Sequence, residues 1–441
     1  MKNKLHIDKP TIGLEIHVEL KTLSKMFCGC PSDHFGKPPN TQTCPTCLGL
    51  PGALPVPNKK AVDWTILIGL SLNCNINKDS KFDRKHYFYP DLPKGYQISQ
   101  YDEPIATSGW LVIGENNSKK IRIRRVHIEE DTGKLQHKKI DGKNVTLIDF
   151  NRSGVPLVEI VTEPDLSSGA ETKEFAQKLQ NILRTLGVSD CDMEKGTMRL
   201  EANISWGLKL GYKVEIKNLN SFKFVEKAIN YELDRQRELI EKGELPRQET
   251  RGWSEKEAKT VTQRFKESEA DYRYFPEPDI PPMEFTSEYI EEIKKTLPIL
   301  PEELKKRFSE EFGVRAAYTT ILSATGKLAN YSLEVFNANR KTDLTNDQLA
   351  GLIVNKIIDH KSLTPGEFLK AALIQKSKGG SNDTEIAEFV EKAIASNQKA
   401  VQDFKKGKTN AIFAIVGAVM ALSKGKANPQ LTRKLIEEKL K

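Results

Sequence analysis

Residues 11–20 read TIGLEIHVEL, with apolar and polar side chains alternating at a period of two. That rhythm describes a strand with one face buried and the other polar. It returns in IRIRRVHIEE (121–130), NVTLIDF (144–150), TMRLEANISW (197–206) and YKVEIKNLN (212–220). The last two are expected to be neighbours joined through residues 207–211. Between the strands, Phe175, Leu179, Ile182, Leu183 and Leu186 mark one helical face over 172–186, with Gly187 as a stop. A second helix is expected over 224–242, ended by Gly243. Strands that are not regularly followed by helices point to an α+β fold with a mostly antiparallel sheet.

The proline-rich DYRYFPEPDIPP (271–282) marks a boundary, after which helical patterns dominate, and SKGGSND (377–383) reads as a linker. The expected division is therefore 1–290, 291–376 and 377–441. A length of 441 residues is enough for about two to four domains. With 38% hydrophobic and 29% charged residues, the composition is that of a globular protein, neither disordered nor membrane-embedded. The apolar run 411–422 is too short to span a bilayer and is expected to be a buried helix. No secretion signal is expected at the start, which favours a reducing cytoplasm.

Four of the six cysteines cluster as Cys28-x-Cys30 and Cys44-x-x-Cys47. Two tight pairs of thiolates fit a closed tetrahedral zinc site, which leaves no open position and is therefore structural. Cys74 and Cys191 stand alone and read as core residues. Glu15 and His17 share one strand face, opposite Leu14, Ile16 and Val18. Alone, such a pair is most simply a solvated surface. Similar carboxylates end other strands, however: Glu129 and Glu130, Glu201, and Glu215. A sheet carrying them together repels itself unless a cation sits among them. Residues 81–100 interleave Arg84, Lys85 and Lys94 with Tyr87, Phe88, Tyr89 and Tyr96, suited to phosphates and base stacking. No glycine-rich phosphate loop occurs, so a nucleotide site would rest on carboxylates and Mg²⁺. The net charge is +8, and residues 401–441 alone hold nine Lys or Arg against three Asp or Glu. A basic tail of this kind suits a polyanion.

Taken together, GLEIHVEL, CPTCLGLPGALPVPN, RKHYFYPDLPKGYQISQ, IEEDTGKL, DFNRSGVPLVEIVTEPD, EANIS, EIKNLNSF and DYRYFPEPDIPP closely resemble the B subunit of the bacterial tRNA-dependent amidotransferase, and GAVMALSKGKANPQL resembles its C-terminal tail. The resemblance is collinear over nearly the whole chain. It implies an N-terminal cradle, a helical domain and a tRNA-binding tail. It also implies ATP- and Mg²⁺-dependent phosphorylation of the side-chain carboxylate of Glu-tRNA(Gln) or Asp-tRNA(Asn). Amidation would follow, with ammonia delivered by a glutaminase A subunit and a C subunit tying the heterotrimer together. The implied site residues are Glu15, His17, Glu130, Glu201 and Glu215, with Glu129 beside them. Arg84, Lys85 and Lys94 are assigned to the substrate and ammonia path. The chain is shorter than many members, which implies trimming after about residue 312 and between EANIS and EIKNLNSF. The alternative is a zinc-containing RNA-binding protein without catalysis. A glycoside hydrolase using paired carboxylates would leave the cysteines and the basic tail unexplained.

Overall fold

The computed structural model describes residues 9–206, 212–265, 272–340, 342–378, 383–405, 408–423, 427 and 429–440. The chain forms two compact units, 1–301 and 302–441. The expected turn at 207–211, the middle of the 377–383 linker, and Lys406, Lys424, Lys426 and Lys441 of the basic tail lie outside the described residues.

The first unit is built on a nine-stranded sheet with Pro10–Glu19 at its centre. On one side lie Pro156–Thr162, Lys119–Glu130, Ala106–Ile113 and Asn75–Ile76; on the other lie Met198–Trp206, Val214–Lys217, Glu249–Ser254 and Lys259–Phe265. Neighbours run antiparallel except Val214–Lys217 against Glu249–Ser254, which is parallel. Alternation decides what each face meets. Ile12, Leu14, Ile16 and Val18 are at most 1% exposed and join one large core. Burying each such side chain contributes about 1.5–3 kcal/mol, so the apolar phase of the central strand fixes its register.

Three helices, Lys59–Ser71, Gly169–Leu186 and Phe222–Glu241, supply side chains to this core. Ser168 begins the second of them by accepting from Glu171 N at 3.2 Å, and Gly187 ends it with a left-handed φ of 71°. The other face of the sheet is left polar. A small sheet adds a wall beside it: Phe275–Pro276, Asp83–His86 and Tyr96–Ser99. The proline-rich segment is thus more than a boundary, because it returns to pair with Asp83 and Arg84.

The second unit is helical. Within it, Ile386, Val390, Ala393, Val401, Ile412, Ile415, Val419, Ile436 and Leu440 form one core cluster. The helix Ile412–Leu422 is not buried all round, as the sequence suggested: Ile412, Ile415 and Val419 are covered, while Phe413 and Leu422 are 59% and 44% exposed. Among the described residues, no helix is long and apolar enough to cross a membrane.

Candidate active site

The polar face of the sheet carries a row of charged side chains set by register. His17 faces Glu159 on the next strand, and Glu159 faces His127 on the one beyond. On the other side, Glu15 faces Glu201, and Arg199 faces His17. Glu215 lies opposite Asn203 on the following strand. Two groups have metal-ligand spacing: in His17, Glu129 and Glu159, and in Glu15, Glu201 and Glu215, the ligand atoms all lie within 4.8 Å of one another. Both groups line one cavity of about 460 Å³, together with Lys85, Tyr87, Tyr89, Arg152, Arg199 and Lys217.

The electrostatics are tight. His127 Nε2 lies 3.1 Å from Glu159 and His17 Nε2 lies 3.5 Å from it, while Glu129 is 3.8 Å from each ring. Burial opposes the charge on His17, but Glu159, then Glu129 and Glu201, outweigh it and hold the imidazolium up to about 9. Burial likewise opposes ionised Glu159, yet His127 and His17 keep it well below the ordinary carboxylate range. Lys85, half-buried, stays charged against burial through Glu129 and Glu159. Lys217 bridges Glu201 at 2.8 Å and Glu215 at 3.4 Å. Asn203 donates to Glu15 at 2.9 Å, and Thr250 donates to Glu215 at 2.7 Å. Each carboxylate is therefore oriented by a neighbour, as ligands of a hard cation need to be.

The structure brings Glu15, His17, Glu129, Glu201 and Glu215 together on one face, and Lys85, assigned with Lys94 to the substrate and ammonia path, lines their cavity, apart from Lys94. Glu130 does not share their face. Next to Glu129 on an extended strand, it points the opposite way, 2.5 Å from Lys94 Nζ, and accepts from Ile98 N at 3.0 Å. Glu130 and Lys94 line a second cavity of about 200 Å³ beside Cys28, Cys47 and Gly49. Arg84 leaves the site altogether. Its guanidinium forms a two-point pair with Glu277 at 2.7 and 2.8 Å and stacks on Tyr96 at 4.4 Å, so it is not free for phosphate. Tyr96 is on that side too, Phe88 is exposed, and of the four aromatic residues only Tyr87 and Tyr89 line the large cavity. Glu159, His127, Arg199 and Lys217 were missed by the sequence reading. A lone Glu inside the apolar PLVEIVT run was the available signal for Glu159.

The cysteine group passes a test of fit for zinc. All four sulfurs lie within 4.8 Å of one another and no disulfide joins them. Cys44 N donates to Cys47 Sγ at 3.1 Å, and the fully buried Lys25 places its ammonium 3.6 Å from the same sulfur. A hydrogen bond from Cys28, aided by Lys25, draws the Cys47 thiol down to about 4, while the same bond pushes Cys28 up. Crowded thiols sharing protons in this way are what a cation would replace. Cys74 and Cys191 are buried core residues.

Comparison with known proteins places the chain in a family. Residues 10–291 match the family described as GatB/GatE catalytic domain, and residues 328–440 match the GatB domain. The B subunit of the aspartyl/glutamyl-tRNA(Asn/Gln) amidotransferase of Thermotoga maritima is 48% identical, with 98% of this chain and 99% of the relative aligned. The proteins of the same name from Caldanaerobacter subterraneus and Caldicellulosiruptor saccharolyticus are each 44% identical, over 97% of this chain and 98% of theirs. The chain belongs to the family of aspartyl/glutamyl-tRNA(Asn/Gln) amidotransferase B subunits.

Proposed function

We propose that this chain activates and amidates the side-chain carboxylate of Glu-tRNA(Gln), Asp-tRNA(Asn) or both. A carboxylate resists ammonia because its oxygen is a poor leaving group. Transfer of the ATP γ-phosphoryl group to that oxygen converts it into a good one. Ammonia then attacks the carbonyl carbon, the C–O bond breaks, phosphate departs and the amide remains. Phosphoryl transfer depends mainly on positioning and charge neutralisation. Mg²⁺ would be held by Glu15, Glu129, Glu159, Glu201 and Glu215, and by His17 once binding displaces its proton, and would offset negative charge on phosphate oxygens. Lys85 faces the same cavity and would orient anionic groups of the substrates, while Arg199 and Lys217 hold the neighbouring carboxylates Asp131, Glu201 and Glu215 in place. Glu130 and Lys94, behind the wall, are assigned to the path by which ammonia arrives.

The observation that carries this reading is the pair of ligand groups on one open face, lined by fixed cations. An RNA-binding protein without catalysis would have no use for carboxylates held this way. We further assign a glutaminase A subunit and a C subunit as partners in a cytoplasmic heterotrimer, zinc to the four cysteines, and tRNA binding to a tail domain over 377–441 that follows a helical domain over 291–376. The test is Mg²⁺-dependent ATP cleavage by the assembled complex. Misacylated tRNA should stimulate it and correctly acylated tRNA should not; cleavage indifferent to the tRNA-bound amino acid would refute the proposal.

A further inference from the structure

The wall between the two cavities is only one layer thick. In the strands Asp83–His86 and Tyr96–Ser99, Lys85 pairs with Gln97 and Arg84 pairs with Ile98. Lys85, Gln97 and Glu129 line the acidic cavity, while Tyr96, Ile98 and Glu130 line the one beside the cysteines. Gln97 ties the two sides together by donating to Glu130 O at 2.7 Å and accepting from Tyr87 Oη at 3.1 Å. The far wall of the second cavity is the cysteine loop itself, including Cys28, Cys47, Gly49, Leu50 and Pro51.

One contact joins that loop to the ion pair. Gly49 follows directly on the turn closed by Leu48 N to Cys44 O and Gly49 N to Thr46 O, both 3.1 Å. Its φ is +65°, a left-handed conformation suited to glycine. A Cβ there would overlap Lys94 Cγ and lie 3.2 Å from Lys94 Cα, so the methylenes of Lys94 rest on the bare backbone of the loop. The backbone contact matters, because a shift of the side-chain tip alone would not relieve it. The cysteine side is itself anchored: Lys25 donates to Gln42 O at 2.7 Å and Phe150 O at 3.3 Å, and Ser153 donates to Cys47 O at 3.2 Å.

We infer that the metal-binding loop positions the chemistry as well as clipping the fold: by seating Lys94 on Gly49, it sets the Lys94–Glu130 pair that lines the second cavity, and so governs how ammonia from glutamine is used. Gly49 is a positioning residue, acting only through Lys94. This rests on the proposed reading of Glu130 and Lys94 as part of the ammonia path. Metal loss and a side chain at Gly49 should therefore have the same consequence by different routes.

The experiment uses the assembled complex and compares amide formation supported by glutamine with that supported by saturating ammonium, which does not need the path. Zinc content and tRNA-dependent ATP cleavage are measured alongside. Gly49→Ala should keep its zinc and lower the glutamine-to-ammonium ratio on the order of tenfold, the scale of a small misplacement of a positioned group. Cys30→Ser should lose zinc and lower the ratio in the same direction. Lys94→Met should lower the ratio with zinc retained. If Lys94→Met shifts the ratio while Gly49→Ala, folded and zinc-loaded, does not, the inference falls and the ammonia-path reading stands. An unchanged ratio in Lys94→Met overturns both. Should Gly49→Ala fail to fold, Cys30→Ser or wild-type complex stripped by a chelator decides the matter, since an unchanged ratio after zinc loss is equally fatal.

Discussion

Glu129 and Glu130 are adjacent in the chain, and each is 2% exposed, but they serve two different regions. Glu129 belongs to a cavity with seven lining carboxylates, Glu15, Asp91, Glu129, Asp131, Glu159, Glu201 and Glu215, against four fixed cations, Lys85, Arg152, Arg199 and Lys217. Even with His17 and the adjoining His127 protonated, carboxylates outnumber the cations there. Glu130 belongs to a cavity where it forms a single close pair with Lys94, and the other lining carboxylate, Asp279, is exposed and lies 3.4 Å from Arg84. Buried charge that is already balanced one to one has no need of a metal, whereas buried charge in excess does. A single step along a strand therefore separates an acidic side, proposed above to hold phosphate and cation, from a paired side, proposed above to line the ammonia path.

The sharpest way to break this comparison is to neutralise each carboxylate in turn. Glu129→Gln should lower tRNA-dependent ATP cleavage at least ~10²-fold, because charge placed for the transition state is removed. The loss should be the same with glutamine or ammonium. Glu130→Gln should instead weaken glutamine-supported amide formation more than ATP cleavage. Basal glutamine hydrolysis, assigned to the glutaminase partner, should survive in both. Equal loss of ATP cleavage in the two variants would collapse the distinction between the two sides.

Much of the acidic face was legible because strand parity is a local property. Leu14, Ile16 and Val18 announce which way Glu15 and His17 point, and Leu200 and Ile204 do the same for Glu201. The error at Glu130 was one of parity that could have been avoided: Val126 and Ile128 are core residues, so Glu130 continues the inward phase and Glu129 the outward one. Arg84 is different in kind. Its partner Glu277 lies 193 residues away, in a segment whose prolines read as a boundary, and no periodicity reports such a pairing. The seat of Lys94 on Gly49 is equally invisible, because it depends on two loops meeting. The cysteine spacing was readable, but its place as the wall of a cavity was not.

The basic tail tests whether substrate affinity can be separated from both cavities. Its described cations are exposed, but several already have partners: Lys408 with Asp403 at 3.1 Å, Arg433 with Glu437 at 2.8 Å, and Lys439 with Glu391. Such exposed pairs are weak, so phosphate can displace them. Removing residues from about 380 onward should weaken tRNA binding and flatten its salt dependence by about one unit of slope for each phosphate no longer engaged. ATP cleavage at saturating tRNA should fall much less than in Glu129→Gln. Unchanged tRNA affinity at two salt concentrations would exclude the tail as a source of binding.

The smallest expected effect concerns the covered face of the sheet, which serves both cavities as scaffold. Ser168 begins the helix Gly169–Leu186, whose Phe175, Ala176, Leu179 and Leu183 are fully buried in the common core. Ser168→Ala removes the side-chain oxygen that accepts from Glu171 N, leaving that donor to water, at a cost of about 1 kcal/mol. In a unit of this size the Tm should drop by only about 2 °C. Neither ATP cleavage nor the glutamine-to-ammonium ratio should move, because the helix reaches the reactive side chains only through the sheet. Nine paired strands make a stiff intermediary, and a lost cap frays one turn without shifting the register that aligns Glu15, His17 and Glu159. Thermal unfolding read beside both activities decides the point. A changed ratio at an almost unchanged Tm would mean that the covered face takes part in setting the wall, and the sheet could no longer be treated as a passive divider.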